Sequence, residues 1–190
     1  MLVITQAGSA EQTITKSRFI ALAIACNDER AVGIALRQFA SQHQNAHHLA
    51  YAFRFKAGPN ENIIQRFSDA GEPSGTAGMP ILKLIEGRDL MNVCVAVIRY
   101  YGGINLGTGG LARAYGGTAK MALDAAKTDS FVEVHEVSLT IQYKQMDMLT
   151  RELMKCNGKI VHKAFNEGID LVLSLPVNET PNFLNRFRPY

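Results

Sequence analysis

Two glycine-rich segments hold most of the side chains in this 190-residue chain whose types and spacing suit binding chemistry. The first, residues 67–80, carries three glycines and two prolines between a strand-like run and a helix-like one. Glycine serves where the backbone needs positive φ or must approach another group closely. The segment is therefore either an Ω-type loop that closes on itself or a binding loop. In the binding reading Asp69 and Glu72 offer carboxylates, and Ser74 and Thr76 offer hydroxyls. The second segment runs from Arg99, Tyr100 and Tyr101 through Gly102, Gly103, Gly107, Gly109 and Gly110 to Arg113 and Tyr115. A helix starting near Thr108 presents free N–H groups and the positive end of its dipole, which favour an anion. Arg99 and Arg113 add charge for a phosphate, and Tyr100 or Tyr101 adds a ring that stacks on a base. Tight strand–helix packing that only glycine permits accounts for the same residues without a ligand. Arg99 ends an apolar run, so its head needs water, an anion or an internal partner. A ligand contact is expected; an ion pair with Asp69 or Glu72 is the competing reading.

Familiar catalytic patterns fit poorly. A Walker A loop needs a Gly-Lys-Ser/Thr triplet, which the chain lacks. Residues 107–112 fit the G-x-G-x-x-A dinucleotide fingerprint, with Glu133 spaced as a ribose-binding acid. Residues 102–106 lengthen what should be a tight turn, and the preceding chain lacks repeated strand–helix alternation. His47 and His48 open a strand, so they point to opposite faces and do not share one metal. One of them is expected against the loop carrying Asp69. Ser68, Asp69 and His47 lack the strand–turn–helix elbow of a hydrolase nucleophile. Cys26, Cys94 and Cys156, without CxxC spacing, read as buried thiols and not as disulfide partners or zinc ligands. No catalytic residue, metal or cofactor is assigned, and no hydrolase or peptidase turnover is expected.

The elements that must position these residues follow from periodicity. Residues 12–26 alternate loosely and read as a strand, the second arm of a hairpin. Asp28 is an N-cap for a helix to about Gln42, with Val32, Ala35, Leu36 and Phe39 on one face. Residues 49–56 read as a strand with Tyr51, Phe53 and Phe55 sharing a face. A turn at Gly58, Pro59 and Asn60 leads to a returning strand at 62–67. A short helix at 79–86 and a buried strand at 91–101 precede a long helix from about 108 to 127. Beyond residue 130 the pattern becomes strand 132–143, helix 145–156, strands 159–165 and 169–175, and helix 181–187. This β-α-β-β-α order suits a small antiparallel sheet with two helices on one face, a ferredoxin-like arrangement. Two domains are predicted, residues 1–130 and 131–190, in an α+β protein.

Apolar residues make up 47% and charged residues 19%, which excludes a disordered chain, a collagen-like fibre and a coiled coil. The longest apolar runs, residues 19–26 and 93–98, fall far short of the ~20 residues that cross a bilayer. The first residues lack a basic stretch leading into an apolar segment. A cytoplasmic protein without membrane contact is expected. Net charge is +3, too small for a module that grips nucleic acid through bulk charge, so RNA contact must come from a local patch.

Taken together, these motifs resemble the YigZ/IMPACT family. The match includes Lys16-Ser17-Arg18-Phe19, the strand start from His47 to Tyr51, residues 67–78, and the run from Arg99 through Leu111 to Tyr115. One departure is clear: the family usually has Asp-Asp-Gly-Glu-Pro, and Ala70 stands where the second aspartate would be. The resemblance implies an N-terminal domain like the second domain of ribosomal protein S5. It implies a C-terminal domain similar to the last, ferredoxin-like domain of elongation factor G. It also implies a role linked to translation and stress response, with RNA or a ribosome-associated protein as partner. The expected contact surface is formed by the two glycine-rich segments, with Lys16 and Arg18 nearby. The competing readings are a small phosphorylated or nucleotide ligand in the same cleft, bound or turned over, and a protein–protein adaptor.

Overall fold

In the computed structural model, which describes residues 1–56 and 62–187, the chain divides into two units, one ending at Phe131 and one beginning at Val132. The turn expected at Gly58, Pro59 and Asn60 lies outside the described residues.

The first unit holds β1 (Leu2–Gln6), β2 (Gly8–Ile14), β3 (Ser17–Ala25), α1 (Glu29–Ser41), β4 (His48–Lys56) and β5 (Ile63–Ser68). It continues with α2 (Gly78–Gly87), β6 (Val93–Tyr100), α3 (Gly107–Ala125) and β7 (Lys127–Ser130). Five strands form one sheet in the order β2-β3-β6-β4-β5, every neighbouring pair antiparallel. That excludes the parallel sheet which the dinucleotide fingerprint requires. β6 is central and covered on both faces, which is why its sequence is a continuous apolar run and not an alternation. Val93, Val95 and Val97 face α2 and α3, while Cys94, Ala96 and Ile98 face α1. Each large apolar side chain so buried contributes roughly 1.5–3 kcal/mol relative to exposure. Ala50 and Ala52 are the small residues of β4 under α2 and α3, whereas Phe53 and Phe55 fill the α1 side. Asp28 caps α1, its carboxylate accepting from the Ala31 N–H at 2.6 Å.

Residues 12–26 do not form one strand. They supply the end of β2 and all of β3, joined by a two-residue turn at Thr15 and Lys16. Both turn residues lie in the left-handed region, φ 46° and 65°, the primed turn whose twist matches a hairpin. Neither is glycine or asparagine, so composition hid the break.

The second unit holds β8 (Val134–Ile141), a 3-10 turn at Tyr143–Gln145, α4 (Met146–Lys155), β9 (Lys159–Phe165), β10 (Ile169–Pro176) and α5 (Thr180–Asn185). Its sheet has the order β8-β10-β9, with β10 antiparallel to both neighbours. Alternate residues of β10, from Ile169 to Leu175, bury against Leu149, Leu153, Phe183 and Phe187. Cys26 and Cys94 are buried in one core cluster and Cys156 is half-buried; all three are free thiols. No described helix is long and apolar enough to cross a membrane.

Candidate functional site

The ladder of the large sheet places His48, Arg99 and Phe19 side by side on β4, β6 and β3. Arg99 shares the α2/α3 face with Val95 and Val97, because side chains alternate along a strand. It is 4% exposed. Its guanidinium lies between two rings, 5.6 Å from the centroid of Phe19 and 5.0 Å from that of Tyr101. One terminal nitrogen donates to Glu72 Oε1 at 2.7 Å and the other to Ser17 Oγ at 3.3 Å. The Glu72 carboxylate is as buried as its partner and also accepts from the Tyr115 hydroxyl at 2.8 Å. Burial, and then this bond to Glu72, push the Tyr115 hydroxyl far above the usual phenol range, so it stays a donor. Arg99 therefore sits in the internal ion pair, the competing one of the two sequence expectations. Its Nε, also buried, has no hydrogen-bond partner among the described residues.

The first glycine-rich segment is a loop that closes on itself. Asp69 holds it: Oδ1 accepts from the N–H groups of Ala77 and Gly78, and Oδ2 from that of Gly75. In this way Asp69 caps α2 from across the loop, where Ala77 has no side chain to do so. Burial pushes the Asp69 carboxyl up, but the three N–H donors outweigh it and hold the group below the usual carboxylate range. Thr76 turns its hydroxyl to Pro73 O at 2.6 Å, and Ser74 is exposed. His48 faces this loop, as expected of one histidine of the pair: its Nδ1 meets Ala70 O at 2.8 Å. A carbonyl only accepts, so Nδ1 carries the proton, and Nε2 lies 3.9 Å from Glu72 Oε1. This anchor uses only the backbone of Ala70 and is independent of its side chain. Ser68 Oγ accepts from the Ala70 N–H and His47 Nδ1 from the Tyr101 N–H, so no Ser68–His47–Asp69 triad assembles.

The second segment is open. A cavity of about 400 Å³ is lined by Glu72, Pro73, Arg99, Asn105, Gly107 and Thr108, among others. Its wall is the start of α3, where Leu106 is the N-cap and no side chain caps the helix. Gly102, earlier in the segment, packs on the hairpin turn. A Cβ there would fall 2.1 Å from the backbone of Lys16, so close approach requires glycine. The Ser17 hydroxyl accepts from the Gly102 N–H and ties turn, strand end and Arg99 together. Gly103 and Gly107 take positive φ, 84° and 70°, and Gly109 and Gly110 lie in the first turn of α3.

The remaining sequence candidates fall elsewhere. Tyr100 points to the α1 face, where His43 Nδ1 lies 3.0 Å from its hydroxyl and Arg18 lies over its ring. Arg18 is exposed and paired with both oxygens of Glu11. Tyr101, 39% exposed, stays beside Arg99, its hydroxyl donating to Asn105. Arg113 is exposed and faces a groove between α2 and α3. Ser17, Asn105 and His43 are contributors that residue type alone did not single out. The period of two along β3 and β6 carries the signal for Ser17 and for the separation of Tyr100 from Tyr101. Among the described residues no group of three or more His, Cys, Asp or Glu gathers as a metal site.

The Impact N-terminal domain family matches residues 15–123, which include the whole of this site. The chain is 34% identical over 172 residues to the IMPACT family member YigZ of Escherichia coli, covering 90% of this chain and 84% of that one. It is 36% identical over 168 residues to an IMPACT family member of Haemophilus influenzae, covering 87% and 80%. A crystal structure of a hypothetical protein superposes with a TM-score of 0.72 at 33% identity, over 97% of this chain and 89% of that one.

Proposed function

The chain belongs to the IMPACT family, and we propose that it is a translation-linked regulator that binds RNA at the cavity between its two glycine-rich segments. One observation carries the reading: the uncapped start of α3 and the buried guanidinium of Arg99 face the same 400 Å³ cavity. N–H groups at a helix start suit a phosphate oxygen, while Arg99, held by Glu72 and Ser17, fixes the wall beside them. Tyr101, exposed beside them, gives a base a ring to stack on. Lys16, exposed on the turn against Gly102, extends the positive edge for the next phosphate. The fold of a regulator and not of a hydrolase is supported by where the polar groups go. Asp69 and Glu72 are taken up in holding the loop and Arg99, and among the described residues no hydroxyl or thiol of the site is hydrogen-bonded to His48 as a nucleophile would be to its base. The ferredoxin-like second domain and the S5-like first domain, as the family resemblance implies them, belong to this same proposal.

A short single-stranded oligoribonucleotide, followed by fluorescence anisotropy from about 50 to 200 mM salt, tests it. Affinity should fall steeply with salt. Lys16→Ala should lower the salt slope by about one unit, and Thr108→Glu should weaken binding at every salt concentration. Binding indifferent to Thr108→Glu would sink the proposal. The volume of the cavity also suits a small phosphorylated ligand. A nucleoside monophosphate that binds there with little salt dependence, in place of the oligonucleotide, would favour that second reading. Crosslinking in cells, with recovery of bound RNA, tests the link to translation.

A further inference from the structure

A second groove lies on the same unit, between α2 and α3, with a volume of about 490 Å³. Its floor is apolar: Met79, Pro80 and Leu84 from α2, Ala112 from α3. The lining includes cations from both walls, Lys83 on α2 and Arg113 and Lys120 on α3, and no acidic side chain. All three are exposed, and Lys120 is paired with Asp124.

The floor also includes Gly116 and Gly117, consecutive glycines in the interior of a 19-residue helix. Glycine inside a helix is destabilising relative to alanine, so a packing reason is expected. None exists at these positions. A Cβ on Gly116 would meet the nearest atom, of Pro80, at 3.6 Å, and one on Gly117 would meet Gln12 at 3.5 Å, both ordinary contacts. Gly102, by contrast, admits no Cβ at all. The fold therefore does not require the doublet; what the doublet does is leave the groove deep.

We propose that this groove binds an acidic amphipathic helix of a partner protein, its apolar stripe on Met79, Pro80 and Leu84 and its carboxylates along the Arg113–Lys120 edge, with Lys83 adding charge from the facing wall. Helix-in-groove recognition uses such a floor with charges at the rim. Arg113 and Lys120 are seven residues apart, so they lie about 10 Å apart along one face of α3. The partner helix then carries its acids about two turns apart. The lining holds no aromatic ring, which is what a base would stack on, so RNA is not the occupant. The surface is separate from the cavity at Arg99 and stands whether or not RNA binds there.

The test uses the full chain, labelled for amide NMR, and a designed helical peptide with one leucine stripe flanked by two glutamates two turns apart. Shifts should gather at Leu84, Ala112, Gly116 and Gly117. Affinity should fall at least about tenfold with Lys83→Glu/Arg113→Glu, and by a similar factor with Gly116→Leu. The same peptide with lysines in place of the glutamates should not bind. Gly116→Ala separates the roles of glycine: the melting temperature should hold or rise while peptide affinity drops. Three results would each overturn the proposal. They are no shifts up to about 1 mM peptide, shifts gathered away from the groove, or a Gly116→Ala protein that melts lower, which would make the glycine structural. Displacement of the peptide from the groove by the oligoribonucleotide would equally defeat it.

Discussion

The two glycine-rich segments of the first unit solve opposite problems. In residues 67–80 every charged group is satisfied from within: Asp69 takes three backbone N–H groups and Glu72 takes Arg99 and Tyr115. In residues 101–110 the helix start is left uncapped and a tyrosine ring stays exposed. One segment is the scaffold and the other the open face, and a buried ion pair joins them. Similar composition thus says little about role; what separates the two is whether the polar groups find partners inside the fold.

The sharpest way to break this comparison is to cut the join. Glu72→Ala strands the Arg99 guanidinium and the Tyr115 hydroxyl, and should lower stability by roughly 3–5 kcal/mol, read by denaturant titration. Arg99→Ala should cost a similar amount, and the double variant much less than the sum. Additive losses would show that the two segments are not coupled through this pair.

Next in size is the contrast between glycines. Gly102→Ala forces a Cβ into the Lys16 backbone and should destabilise by roughly 1–3 kcal/mol. Gly116→Ala should instead stabilise, by up to about 1 kcal/mol, because the added Cβ meets Pro80 only at an ordinary contact distance and the helix gains a better former. Melting curves of the two variants side by side decide it.

The adjacent tyrosines sharpen the comparison at the level of binding. Tyr101→Ala should weaken oligoribonucleotide binding by roughly 1–3 kcal/mol. Tyr100→Ala, on the other face of the sheet, should leave affinity unchanged. Equal effects would mean that the open face is not where RNA sits.

A smaller effect is expected from acid. The Asp69 carboxyl titrates below its ordinary value of 3.8 when folded. Its contribution is therefore complete above about pH 4 and fades as pH falls through the lowered value. The melting temperature of the parent should drop below pH 4 more steeply than that of Asp69→Asn. The smallest effect concerns the second unit. Each unit has its own core. Residues 1–131 alone should unfold cooperatively, close to the melting temperature of the first transition in the full chain; calorimetry checks this.

Much of this was legible in the order of residues. Hydrophobic periodicity located α1, β4, β6, α3 and the strand–helix order of the second unit within a residue or two of their observed ends. Asp28 announced its helix because an N-cap is a local interaction between a side chain and an N–H three residues on. The two glycine-rich segments could be marked as special, and their motifs as family-like, for the same reason: local composition is visible without a fold.

Tertiary structure alone decided what those segments do. The hairpin at Thr15 and Lys16 escaped notice because strand pairing supports left-handed backbone that residue type does not advertise. Whether Arg99 met a ligand or a carboxylate depended on bringing Glu72, 27 residues away, within 2.7 Å. Lys83 on α2 and Arg113 on α3 are far apart in sequence, so only the packing of α2 against α3 could define a groove there. Short-range physics, in the form of capping, alternation and propensity, acts between residues a few positions apart and can be read from the chain. Burial, ion pairing and the space left over depend on which distant surfaces meet, and no window of sequence contains that information.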